Sequence, residues 1–178
     1  FVIILDEINR CNVSKVFGEL ITLIEDDKRD KFKTTLPSGE RFTVPGNLHI
    51  IGTMNTADKS VSIVDIALRR RFEFEAMYPK PELVTDKEKQ RFMEAVNAVI
   101  REKKSIDFEI GHSDFMKNIS FEDTLNRKII PLLEEYFRND MAAVKSIIID
   151  CIGLDSSVEI DEEWFKRKGL VKVKGNSR

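Results

Sequence analysis

Adjacent carboxylates, Asp6 and Glu7, directly follow the apolar run Phe1 to Leu5. Two acids at the exit of a buried strand can divide the labour of phosphoryl chemistry. Asp6 can hold Mg²⁺ through a water, and Glu7 can orient or polarise an attacking water. The plainer alternative is a solvated acidic pair after a core strand. Asn55 stands just past a second apolar stretch, Leu48 to Gly52. A neutral amide there can hold a water or a γ-phosphate oxygen without adding charge; a turn-forming Asn, with Asp58 as a helix-entry cap, is the alternative. Arg69, Arg70 and Arg71 end a short helical pattern. They can complement the helix dipole in solvent. An arginine at that place can also reach a phosphate on a neighbouring subunit, a contribution of ~10³–10⁵ in rate where it occurs.

These groups need a scaffold that brings two strand ends together. Phe1 to Leu5 reads as a strand buried on both faces, as in a parallel sheet, with its ligand beyond the carboxyl end. A helix fits residues 13–26, where Val13, Val16, Phe17, Leu20, Leu23 and Ile24 recur at helical spacing after Asn12 as N-cap. Residues 31–36 and 40–44 flank Pro37-Ser38-Gly39 as a hairpin. Leu48–Gly52 is a second buried strand, residues 62–72 a short helix, and Phe72–Met77 a third strand. Tyr78-Pro79-Lys80-Pro81 then breaks regular structure.

Beyond that break the pattern is helical. Phe92, Val96, Val99 and Ile100 mark residues 82–104; Leu125, Ile129, Leu132, Leu133 and Tyr136 mark 120–138; a third helix fits 139–152. Gly111-His112-Ser113 lies between helical stretches, and His112 could touch a nucleotide only if this part folds over the strand ends. Strands with helices followed by helices alone give an α/β class chain. The expected division is a partial α/β core (1–79), a small all-α lid (80–154) and a charged tail (155–178) with a weak strand at Leu170–Val173.

A net charge of −2 argues against the chain acting alone as a strongly basic nucleic-acid binder. No apolar run reaches the ~20 residues of a membrane span. Cys11 and Cys151 are far apart without metal-ligand spacing, and a reducing cytoplasm is the expected setting.

In order, Phe1 to Arg10, Ser-Lys-Val-Phe-Gly-Glu (14–19), Ile-Gly-Thr-Met-Asn-Thr-Ala-Asp (51–58) and Ala-Leu-Arg-Arg-Arg-Phe (67–72) closely resemble the AAA+ domain of the McrB family. These are the GTPase motor subunits of methylation-dependent restriction enzymes. The resemblance is strong over residues 1–80. Gly-His-Ser with Phe115, and Ile-Pro-Leu-Leu-Glu-Glu-Tyr-Phe (130–137), resemble the family's lid. Asp-Glu-Ile-Asn-Arg also resembles the MoxR-type AAA+ group, but Met-Asn-Thr-Ala-Asp favours McrB.

The resemblance implies roles. Asp6 and Glu7 would form the Walker B pair of a P-loop NTPase core, with Mg²⁺ on Asp6 through water, and Asn55 would be sensor 1. Asp58 would lie in the signature loop, Arg10 would contact phosphate or the crevice, and Arg70 and Arg71 would lead as trans-acting finger. It implies GTP, or ATP, as substrate, a homo-oligomeric ring of six, and a McrC-like nuclease partner acting on DNA that a separate N-terminal domain reads. The chain departs from the family in three ways: it holds no G-x-x-x-x-G-K-[ST], Lys59 replaces the expected Arg, and no Arg stands in the Gly-His-Ser segment. The expectation is therefore the C-terminal two-thirds of a motor domain, inactive by itself. A non-hydrolysing docking module is the alternative from another class. A metal-dependent nuclease reading lacks a third carboxylate with a convincing Lys.

Overall fold

Val2-Ile-Ile-Leu5 forms a strand in the computed structural model, which describes residues 1–10, 12–57 and 69–176. Strand β1 (Val2–Leu5) pairs in parallel with a later strand, numbered β4 below (His49–Gly52), in the register Val2↔His49 to Leu5↔Gly52. The chain folds as two compact units, Phe1–Ala76 and Met77–Arg178.

In the first unit the stretch expected as one helix is broken. α1 (Val13–Phe17) gives way to a 3₁₀ turn (Gly18–Thr22). Gly18 sits at φ +49°, a left-handed conformation that an α-helix cannot continue through. The predicted cap is present: Asn12 Oδ1 accepts from Lys15 N at 3.0 Å. The hairpin is β2 (Thr34–Thr35) against β3 (Arg41–Phe42), antiparallel, closed by Leu36 N donating to Glu40 O at 2.8 Å.

Two sequence expectations for this unit fail. β1 is not buried on both faces; Val2 is 59% and Ile4 67% exposed, because a two-stranded sheet offers little to cover them. Residues 72–77 form no strand; among the described residues β4 pairs with β1 alone, and this segment joins no ladder. The helix expected over 62–72 falls mostly outside the described residues.

The second unit is built on α2 (Lys87–Lys103), whose N-cap Asp86 accepts from the N–H groups of Glu88 and Lys89. Phe92, Met93, Val96 and Ile100 form its buried stripe. They pack on α3 (Phe121–Thr124), a π turn (Leu125–Ile129), α4 (Ile130–Tyr136) and α5 (Met141–Ile152) in one continuous core. The π turn has a local cause. Pro131 lacks an N–H and its ring crowds the carbonyl four residues back, which a wider turn relieves.

The C-terminal stretch is not a loose tail. β5 (Val158–Ile160) and β6 (Val173–Gly175) pair antiparallel around α6 (Glu162–Lys168), and Val158, Val171 and Val173 are buried in the helical core. The strand begins at Val173 rather than ending there, and both strands of the pair lie beyond residue 154, so residues 80–154 remain helical and the stretch after them adds the β-hairpin. Cys151 is buried and free, and burial, with Asp150 beside it, pushes its thiol up to about 11. Among the described residues no helix is long and apolar enough to cross a membrane.

Candidate functional site

Parallel pairing with Leu5 opposite Gly52 makes the chain leave both strands at the same sheet edge. Asp6-Glu7 and Thr53-Met54-Asn55 therefore emerge side by side. Bonds from residue 53 join the two exits. Thr53 N donates to Leu5 O at 3.0 Å, and Ile8 N donates to Thr53 O at 2.9 Å. Thr53 Oγ1 donates to Asp6 Oδ1 at 2.5 Å and accepts from Glu7 N at 3.0 Å. Asn9 Nδ2 donates to Asn55 O at 3.2 Å. Gly52 eases this approach, since a Cβ there would meet the Ile8 side chain at 3.3 Å and Ile8 would have to give by a few tenths of an ångström. Ile8 in turn packs on Leu5, Phe17, Ile21 and Phe72 beneath the carboxylates.

Asp6 and Glu7 are both exposed. Glu7 has φ +51°, unusual for a residue with a Cβ. Arg10 Nε pairs with Glu7 Oε2 at 2.8 Å from a short 3₁₀ turn (Ile8–Arg10). Asn55 Oδ1 accepts from Ala57 N at 2.9 Å, so its side chain folds an Asx turn as it leaves the strand. Asp6, Glu7, Arg10 and Asn55 are thus gathered at one edge.

The arginine cluster is less uniform. Arg69 and Arg70 are exposed. Arg71 is mostly buried and pairs through Nη2 with Glu25 Oε1 at 2.7 Å. Arg71 also lines a cleft of about 200 Å³ with Ile24, Arg29, Ile50, Phe72 and Glu73, none of them among the residues at the strand exits. Asp58 and Lys59 lie outside the described residues. In the second unit His112 Nδ1 accepts from Lys80 N at 3.2 Å. The segment it belongs to is anchored by Asn97, which exchanges two bonds with the Ile110 backbone, and by buried Lys89, whose Nζ donates to Lys117 O and Ile119 O.

The donors present suit a hard divalent cation. Among the described residues no group of three or more His, Cys, Asp or Glu could hold a metal alone. A cation here would rest on exposed Asp6, waters and the phosphates of a nucleotide, which is the coordination Mg²⁺ takes. Sequence reasoning missed Thr53 and Asn9. Their only signal was position: polar residues one and four places past a strand exit.

A parallel strand pair ending in Asp-Glu and Thr-Met-Asn, followed in the chain by a helical unit, is the arrangement of an AAA-type core with its lid. Residues 1–72 match the AAA domain family (dynein-related subfamily), and residues 88–145 match the McrB alpha-helical lid domain. The chain is thus a McrB-type AAA+ segment. It is 42% identical over 171 aligned residues to the type IV methyl-directed restriction enzyme EcoKMcrB subunit of Escherichia coli strain K12, covering 79% of this chain and 37% of that protein. It is 27% identical over 143 residues to the type II restriction enzyme BsuMI component YdiS of Bacillus subtilis strain 168, covering 72% of this chain and 38% of that one. The chain spans under two-fifths of the length of these curated relatives.

Proposed function

We propose that these residues are the hydrolytic half of a nucleoside-triphosphatase site, GTP-type with ATP as the alternative, in the motor subunit of a methylation-directed DNA restriction system. The observation that carries this reading is the emergence of Asp6, Glu7 and Asn55 from paired parallel strands, stitched together through Thr53. Bound Mg²⁺ supplies charge neutralisation on the phosphates. Asp6 would hold that ion through a water, Glu7 orients the attacking water and draws on its proton, and Asn55 holds that water or a γ-phosphate oxygen. Arg10 steadies the Glu7 carboxylate and faces the same crevice. Arg70 and Arg71 serve the neighbouring subunit's nucleotide, and Asp58 completes the loop after Asn55. Residues 1–79 act as core and 80–154 as lid.

The wider setting of this reading is a homo-oligomeric ring of six in the cytoplasm, a McrC-like nuclease subunit, and DNA read by another domain; the relatives' names, a restriction-enzyme subunit and a restriction-enzyme component, support a multi-subunit restriction complex. Glu7→Gln in the complete subunit is expected to keep nucleotide binding and lose turnover by ~10² or more, as loss of a positioned proton acceptor does. Turnover at the wild-type rate would remove Glu7 from this role. The exposed apolar residues of β1 favour a second reading, a docking module, which stable stoichiometric association without nucleotide would support.

A further inference from the structure

We propose that Thr53 is a positioning residue for phosphoryl transfer, setting both carboxylates through one hydroxyl; this rests on the roles given above to Asp6 and Glu7. A hydroxyl has one hydrogen to give and lone pairs to receive. The Glu7 N–H can only donate, so it takes a lone pair of Thr53 Oγ1 at 3.0 Å. The hydroxyl hydrogen is thereby directed to Asp6 Oδ1, 2.5 Å away. One atom thus fixes the rotation of the Asp6 carboxylate and the backbone of Glu7.

The second effect matters because Glu7 sits at φ +51°, where a residue with a Cβ does not stay unaided. That turn redirects the Glu7 side chain relative to a continuing strand, and the Thr53 hydroxyl holds it there. Thr53 is well suited to hold it. Its main chain is locked on both sides, by Leu5 O and Ile8 N, and its branched Cβ restricts the side-chain rotation. The fixed main chain and the few staggered rotamers open to Thr53 limit how far the hydroxyl can move. Thr53 touches no reacting atom in this scheme. It acts through the two residues that do.

The test uses the complete motor subunit with its nucleotide. Thr53→Val keeps the shape and removes the hydroxyl, Thr53→Ala removes it without crowding, and Thr53→Ser keeps it. The expected result is a ~10–100-fold loss of turnover in Val and Ala, the cost of carboxylates misplaced by about an ångström. Nucleotide affinity stays within about 3-fold, the Mg²⁺ concentration for half-maximal rate rises, and Ser restores turnover to within about 3-fold of wild type. A merely structural role would leave the Mg²⁺ dependence unmoved. Wild-type turnover and Mg²⁺ dependence in Val or Ala overturns the proposal, as does a Ser variant as impaired as Val. Glu7→Gln is measured alongside. If it is inactive while Val and Ala behave as wild type, only the role of Thr53 falls; if it is fully active, or the wild type turns over no nucleotide, the site reading falls and this inference with it.

Discussion

Glu25 occupies Arg71, and that pairing separates the two leading arginines by what their loss would do. Arg71 is mostly buried and held at 2.7 Å, whereas Arg70 is exposed. An exposed arginine that reaches a neighbour's phosphate contributes to rate and little to folding. Arg71 has to leave Glu25, or carry it along, to do the same. Arg70→Ala and Arg71→Ala are each expected to lower turnover of the assembled motor by ~10² or more. Only Arg71→Ala should also destabilise the first unit, by about 1–3 kcal/mol, because it strands a partly buried carboxylate. Glu25→Gln separates the effects: stability falls with Arg71 still present to act. Turnover assays with urea denaturation of each variant check this, and an Arg70→Ala protein with full turnover would remove Arg70 from the site.

Among the elements, the N-terminus of α2 is tied to the turn before β5 by one carboxylate. Glu88 accepts from Ser156 Oγ at 2.6 Å, Ser157 N at 2.5 Å and Ser157 Oγ at 2.6 Å. Burial and nearby Asp86 push its pKa up, but the three bonds outweigh them and hold it below its ordinary value. A carboxylate lowered on folding gives stability that is present above its unfolded value, about 4.3, and is lost as pH falls through the folded value. The second unit should therefore hold its stability from neutral pH to about pH 5 and lose it in more acid solution. Glu88→Gln should flatten that acid limb, read from urea midpoints at pH 7 and pH 3.5. An unchanged acid limb would mean that Glu88 does not couple these elements. β1 and β4 were legible as apolar runs, and with them the meeting of Asp6, Glu7 and Asn55. The break at Gly18 was hidden, because helical periodicity continues to Ile24 while the backbone turns left-handed. Thr53 was hidden because a strand-exit threonine looks like any other until its partner strand is known. The segment after Asp155 was under-read because charge dominated it. Yet Asp161 as cap, Glu162 and Glu163 in the first turn, Lys166 to Lys168 in the last and Gly169 at φ +65° are a full set of helix signals.

At the scale of the whole molecule, the two units carry very unequal cores. The second buries nineteen residues in one cluster, with Met93, Leu133 and Ile148 fully enclosed. Among the described residues, the first divides its buried apolar residues between Ile8 on one side and Leu23, Ile24 and Val44 on the other. Its sheet meanwhile leaves Val2, Ile4 and Ile51 more than half exposed. Burial of apolar area contributes about 25 cal/mol per Å², so among the described residues the larger share of this stabilisation lies in the second unit. Local opening follows such differences. The chain is therefore expected to unfold in two steps, with residues 1–76 first. Leu133→Ala should lower only the later transition, by about 2–5 kcal/mol, because it opens a cavity in the larger core. Hydrogen exchange should be faster along β1 and β4 than along α2 and α5, and residues 77–178 expressed alone should fold to a cooperative helical domain. One transition that moves as a whole on Leu133→Ala would show instead that the small core is energetically fused to the large one. In that case the strand ends carrying Asp6 and Asn55 would owe their order to the lid unit rather than to their own packing.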